Sequence, residues 1–375
     1  MSVDPEKIQK DVIHILRLQG YKIRNGLIKY PNNPTKEDLR RMNELAVAYK
    51  IEKAEPSLRR YEEILLRYIA EGEEVIPERV QPKMLCINSG SEEALLFRYA
   101  SLHWSIPVSS GYGRRLRFLV IDESNGKLIG LFGLGDPVYA IRNRDKFIGW
   151  DSEIKKEKLY HIMDAYVLGA VPPYSTLLCG KLVALLMLSN EVRKIFHQKY
   201  ANKKTIIGKQ TKEPLLVLLT TTSALGKSSI YNRIKVNGYE FWRSVGFTQG
   251  SGEFHFSNGI YEEIRMFAES NCKPTAKKTS WGKGFRSKRE VIKKCLPEIG
   301  LSSKFLYHGI QREIFVAPLA HNALQFLRGE VSQPDFYDWP TEELSQMFLK
   351  RWLLPRAERV HDYRIFRRES FRIWT

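Results

Sequence analysis

Residues 114–136 read RRLRFLVIDESNGKLIGLFGLGD, and their pattern decides the fold class. Apolar Phe118 and Val120, then Leu128, Ile129 and Leu131, flank Ser124-Asn125-Gly126. That arrangement predicts two strands joined by a tight turn. Downstream, residues 162–196, IMDAYVLGAVPPYSTLLCGKLVALLMLSNEVRKIF, predict a strand from Ala165 to Val171, a Pro-Pro break and a long helix from Leu177 to Phe196. Residues 214–234, PLLVLLTTTSALGKSSIYNRI, predict a buried strand from Leu215 to Thr221, a Gly-containing turn and a short helix. Residues 241–256, FWRSVGFTQGSGEFHF, predict a strand pair separated by Gly-rich turn residues. Hairpin, strand–helix, strand–helix, strand is an α/β order, with the four core strands in one mixed sheet.

Outward from this core, residues 1–72 read as a helical N-terminal region. Ile8, Val12, Ile15 and Leu16 mark a first helix, Asn25-Gly26 a hairpin, and two amphipathic helices follow, parted at Glu55-Pro56. Residues 73–112 form a linker and a helix, whose start is marked by Ser91 before Glu92-Glu93. The core spans 113–258. Residues 259–375 are a basic C-terminal region, carrying a helix from Ile260 to Ser270 and a further strand and helix within 301–330.

Sixty Lys and Arg against 42 Asp and Glu give a net charge of +18. A surplus of that size points to a polyanionic partner, DNA before RNA. Hydrophobic content of 43% with 11% aromatics belongs to a globular chain and excludes a disordered one. Four scattered cysteines without a CxxC pair predict neither a zinc site nor a disulfide framework. The charged N-terminus lacks an apolar signal core, and the run LVALLMLS is far short of a membrane span. These features fit a soluble cytoplasmic protein with no membrane partner.

The order of core elements, with Gly246-Phe247 after the expected short helix, resembles the acyltransferase fold of the GNAT superfamily. A second resemblance covers more of the chain. FIGWD (147–151), AVPPYSTLLCGKLVALL (170–186), TTTSALGKSSIYNR (220–233), LYHGIQREIFVAPLAHNALQFLRGE (306–330) and RWLLPRAER (351–359) resemble, in the same order, the DruA family of the Druantia anti-phage system, formerly a domain of unknown function. This resemblance implies a defence context and other Druantia subunits as partners, including a large helicase-like protein. It implies no reaction.

The GNAT resemblance implies a loop after the fourth strand, Gln/Arg-x-x-Gly-x-Gly/Ala, that holds the acetyl-CoA pyrophosphate on backbone N–H groups. The matching positions are Ser175, Leu178 and Gly180. The basic position and the first glycine are lost, and Pro172-Pro173 removes two backbone donors. Tight acetyl-CoA binding is therefore not expected. The string SALGKSSIY lacks the full phosphate-loop frame, because Thr221 stands where that frame has its first glycine. Even so, Thr220, Thr221, Thr222, Ser223, Lys227, Ser228 and Ser229 crowd polar groups at the end of a buried strand, where open α/β sheets bind ligands. Helix capping accounts for part of this set without a ligand.

Tyr231 occupies a place where the GNAT resemblance implies a general acid. Flanked by Lys227 and Arg233, it is a candidate nucleophile towards a phosphodiester or a stacking platform; the alternative is a packed ring. His161 beside Asp164 is a candidate acid–base pair, against the alternative of a structural histidine. A divalent-metal nuclease needs converging carboxylates. Asp136, Asp145, Asp151, Asp164 and Glu213 are available without diagnostic spacing, so a divalent metal stays open as a cofactor and no metal ligand is assigned.

Basic residues interleaved with aromatics carry the strongest signal. They are RNRDKFIGW (142–150) and TSWGKGFRSKRE (279–290), the latter with Lys283, Arg286, Lys288 and Arg289 as phosphate contacts and Trp281 and Phe285 as stacking rings. Arg114, Arg115 and Arg117, then Lys227, Ser228 and Arg233, and finally Arg312 complete the candidate contacts. The reading is a nucleic-acid-binding protein. Its alternatives are a strand-breaking and joining enzyme centred on Tyr231 or on a carboxylate set, and an acyltransferase with a non-standard donor site.

Overall fold

The computed structural model describes residues 4–30, 33–109, 113–205, 209–236, 238–275, 281 and 285–374. Helix α1 (Pro5–Leu18) starts at Asp4, whose side chain accepts from the Glu6 amide, and it buries Ile8, Val12 and Leu16. The Asn25-Gly26 hairpin pairs β1 (Lys22–Arg24) with β2 (Leu27–Lys29). Helix α2 (Lys36–Leu58) follows a capping box between Thr35 and Asp38. It does not stop at Glu55-Pro56. Proline in the last turn forfeits a single backbone bond, and the helix runs on to bury Leu58.

Next come α3 (Glu62–Leu66), β3 (Pro82–Cys86) and α4 (Glu92–Ser101). Strands β4 (Arg115–Asp122) and β5 (Lys127–Gly135) form the expected hairpin, closed by Asp122, whose Oδ1 accepts from the Ser124 amide and hydroxyl. Helices α5 (Arg142–Ile148) and α6 (Ser152–Lys158) lead to β6 (Ile162–Ala170). The expected single helix after Pro172-Pro173 is two, α7 (Cys179–Leu186) and α8 (Asn190–Tyr200). The break has a cause. Ser189 is extended, and Asn190 bonds the Trp339 carbonyl through its amide and the Trp339 amide through its side chain.

Strand β7 (Leu218–Thr222) ends in turns where a short helix was expected. Gly226 sits at φ +72, and the Lys181 ammonium takes the Ser229 and Ile230 carbonyls that a helix would have used. After β8 (Lys235–Val236) and β9 (Tyr239–Glu240), β10 (Arg243–Phe247) is the one strand of the expected pair; residues 254–256 form a 3-10 turn instead. Helices α9 (Ile260–Asn271) and α10 (Phe285–Glu298) precede β11 (Glu313–Pro318).

The main sheet has seven strands in the order β10-β11-β7-β6-β5-β4-β3. Neighbours are antiparallel except β6 and β7, which run parallel. The four strands expected in one mixed sheet are all in it, and β3 and β11 join from outside 113–258. Phe118 and Phe132 stack at 4.6 Å on one face, against α7 residues such as Leu182 and Val183. Leu119, Leu131 and Val167 face the other way, against Phe97 and Tyr99 of α4 and the C-terminal Phe371 and Trp374. Each such fully buried Leu, Val or Phe contributes roughly 1.5–3 kcal/mol.

A separate apolar cluster joins α1, the hairpin and the start of α2 to α9 and α10. Helix α2 spans from this lobe (Leu39, Met42) to the sheet (Leu58), about 34 Å along its axis.

Candidate nucleic-acid interface

Arg115 and Arg117 share one face of β4, because side chains alternate along a strand. It is the face that α4 and α2 cover further along, and at this end the cover stops. The result is a cavity of about 660 Å³, lined by Lys50 and Lys53 from α2, Arg98 from α4, Arg115 and Arg117, and Lys199 from α8. Phe97 and Tyr166 supply its aromatic surface, and no carboxylate is among the described residues that line it. Cations gathered in a recess, beside aromatic rings, suit a phosphate-bearing ligand.

The cations are held in place. Tyr200 clamps Arg115: its hydroxyl accepts from the Arg115 amide at 2.7 Å and lies 2.9 Å from the Arg115 carbonyl. Lys199 donates to that same carbonyl at 2.9 Å. Arg117 lies over the Phe97 ring at 5.8 Å, and Arg98 donates to the Ser57 hydroxyl at 2.8 Å. Burial pushes the Lys50 ammonium down to about 8, with help from Lys288 nearby. Burial likewise lowers Lys199, with Cys86 opposing and Arg117 reinforcing.

Tyr166 enters the cavity through a backbone irregularity. Gly133 pairs with Val167 and Leu134 with Ala165, so Tyr166 is an extra residue on β6. Such bulges re-aim a side chain.

A model of the family described as "DruA: Druantia protein DruA" matches residues 33–329. The chain belongs to that DruA family. It is also similar to the Druantia protein DruA of Escherichia coli (strain UMEA 4076-1), at 38% identity over 363 residues, covering 96% of this chain and 90% of the relative. No solved structure matches. All the cavity residues fall within the stretch matched by the DruA family.

The other sequence-derived candidates of this DruA-family chain lie elsewhere. Arg114 is neutralised: its guanidinium pairs with Asp136 at 2.7 Å and lies 4.1 Å from the Tyr160 ring centre. Lys227 and Arg233 are exposed on the turns after β7, and Ser228 accepts from the Ile230 amide. Lys288, half-buried, donates to the Ser257 hydroxyl at 2.9 Å and lies over Tyr261 at 4.6 Å. Arg289 is half-buried. Arg312 stacks over Phe254 at 4.8 Å. Trp281 packs against the lobe cluster. Lys283 lies outside the described residues, as do the side chains of Arg286 and Phe285.

Tyr231 is 6% exposed, its ring packed on Trp242 and Phe315. Burial holds its hydroxyl above the ordinary tyrosine range, against a hydrogen bond with Thr221. That is a packing position. His161 and Asp164 are not brought together as a pair. His161 Nδ1 donates to the Leu215 carbonyl at 2.9 Å, and burial pushes the ring down to about 4. Asp164 accepts from the Thr220 hydroxyl at 2.6 Å, with its carboxyl raised by burial against Thr220 and Arg144. Asp136 serves Arg114, Asp145 serves Arg144 and Lys155, and Asp151 caps α6. Among the described residues no group of three or more His, Cys, Asp or Glu could hold a metal ion.

Sequence reasoning missed Lys50, Lys53, Arg98, Lys199, Phe97 and Tyr166. Lys50 and Lys53 stand three apart on α2 and so share a helical face, a signal present in the sequence. Nothing local links that face to β4 or α8. A second missed set lies between lobe and sheet, where Glu253, His255, His308 and Tyr21 are buried near Arg312.

Proposed function

We propose that this chain binds nucleic acid, DNA in the first instance, as a component of the Druantia anti-phage system. The observation that carries the reading is the cavity whose described lining offers Lys50, Lys53, Arg98, Arg115, Arg117 and Lys199 and no carboxylate. Family membership supports the defence context. The volume lies within the range of about 300–1,000 Å³ that encloses drug-sized ligands. It suits a nucleotide or two of a single strand and is too small for a duplex. Lys288, close enough to depress Lys50, extends the basic surface along α2 towards α10, giving the rest of the strand a path. Other Druantia subunits, a helicase-like protein among them, would supply such a strand.

An acyltransferase-like core is a proposal of fold only. The parallel β6–β7 pair with α7 between them in sequence supports it. Ser175 and Leu178 stand where a donor loop wants a cation and a glycine, and the positive charge gathers at the β4 cavity instead.

The test is binding of a labelled single strand to wild type, to a Lys53→Glu, Arg98→Glu, Arg117→Glu variant, and to Lys10→Glu, an exposed site on α1. The cavity variant should lose at least about tenfold in affinity, and Lys10→Glu should stay within about twofold. Equal losses in both would return the charge to a non-specific surface role. Duplex DNA and RNA of the same length serve as comparison arms.

A further inference from the structure

The cavity holds a group that phosphate binding alone does not need. Tyr166 is the bulged residue of β6, its ring lies across Gly133, and it lines the wall that also carries Arg115 and Arg117. Tyr166 is only half-buried, unlike Tyr231, which is 6% exposed. Arg115 and Arg117 both act on it electrostatically, and Lys50 and Lys199 line the same space.

We propose that Tyr166 is a nucleophile that breaks and rejoins a DNA strand by transesterification. This rests on nucleic acid occupying the cavity. The Tyr166 oxygen attacks a backbone phosphorus, a P–O bond to the neighbouring sugar breaks, and a phosphotyrosyl ester forms. The tyrosine proton passes to a neutral lysine amine, and the leaving sugar oxygen takes a proton from a lysine ammonium to become a free hydroxyl. Ester replaces ester, so no oxidant, reductant or water is consumed, and reversal reseals the strand. Arg115 and Arg117, about 7 Å apart as i and i+2 on one strand face, flank the phosphorus. There they stabilise the charge that builds up as it becomes five-coordinate.

Burial raises the Tyr166 hydroxyl against the pull of Arg117 and Arg115. It is therefore protonated at neutral pH and needs a base at the moment of attack. Lys50, mostly an ammonium at pH 7 but lowered to about 8, is the cavity lysine whose neutral fraction is best suited to accept that proton.

The full chain is incubated with a single-stranded DNA oligonucleotide labelled at its 5′ end, and separately at its 3′ end, then run on a denaturing protein gel. One of the two labels should become covalently attached, and peptide mass spectrometry should place the adduct on Tyr166. Tyr166→Phe, which keeps the ring, should lower the adduct at least about a hundredfold, with affinity within about threefold of wild type. Tyr231→Phe should leave the adduct in place. Normal binding with no adduct from either label overturns the proposal and leaves the binding reading standing. An undiminished adduct in Tyr166→Phe overturns it too. Loss of all binding at 50 mM salt overturns the binding reading, and this one with it.

Discussion

The ring of Tyr166 lies over Gly133 so closely that a Cβ at Gly133 would stand 2.4 Å from Tyr166 Cζ and 2.5 Å from its hydroxyl oxygen. Only glycine leaves that room. The atoms in conflict are the far end of a side chain, so Gly133→Ala should push the ring aside and leave the sheet intact. The expected cost is about 1 kcal/mol, the low end for overpacking. Thermal melting should report that small loss, while covalent capture of DNA falls with the displaced hydroxyl. A large collapse in melting temperature would mean that the ring cannot move.

Lys50 gives the cavity a pH dependence. Burial and Lys288 lower its ammonium to about 8, so its charge is present at pH 7 and lost as pH rises through that value. Affinity for a single strand should fall between pH 7 and 9. In Lys50→Arg, whose guanidinium stays charged, the fall should vanish. Titration of binding at fixed ionic strength measures both, and parallel profiles would remove Lys50 from the site.

The fold keeps four histidines neutral: His103 and His161 are pushed down to about 4, His255 to about 3 and His308 to about 2, in each case chiefly by burial. Unfolding frees them to take up protons below about pH 6.5. Stability is therefore full above that pH and is lost as pH falls. Glu253 works the other way. Burial raises it to about 7 against Lys288 and Arg289, so between about 4.5 and 7 the folded state holds a proton that the unfolded chain releases. The histidines outnumber it, and unfolding near pH 5 should take up about three protons net. Denaturant melts from pH 7 to 5 should show that slope. His308→Asn should reduce it by about one, since an amide oxygen can accept from the Ile310 amide as His308 Nδ1 does.

Glu62 anchors the C-terminal segment. It is buried, Tyr99 donates to it at 2.8 Å and the Ile373 amide at 2.7 Å, and Arg372 lies 3.8 Å away. Glu62→Ala strands these donors and should cost about 2–4 kcal/mol. Glu62→Gln, which keeps an acceptor, should cost less. Chemical denaturation ranks the two, and equal costs would contradict the account.

Much of the sheet was legible because its strands are apolar runs with turn chemistry between them, as at Ser124-Asn125-Gly126. The helix limits were less so. Asn190 and Lys181 end or replace helical segments by bonding groups distant in sequence, Trp339 and the 229–230 carbonyls, and no local pattern encodes that. The site was half legible. Arg115 and Arg117 were readable from charge, but Arg114 beside them is spent on Asp136. Tyr231 drew attention through flanking cations that point to solvent while its own ring points inward. Tyr166 stood in an unremarkable apolar strand, and its exposure to the cavity depends on a bulge that the sequence does not announce.

The most direct test of nucleic-acid binding at the β4 cavity is its salt linkage. Affinity for a labelled single-stranded DNA is measured from 50 to 200 mM salt by fluorescence anisotropy. With about −0.7 per phosphate contact on a single strand, the roughly three phosphates flanking one or two nucleotides in the cavity predict a slope near −2 and a loss of about 16-fold over that range. Reversing Lys53, Arg98 and Arg117 should flatten the slope by about two. A wild-type slope near zero, or a slope unchanged by those reversals, would contradict binding in the cavity.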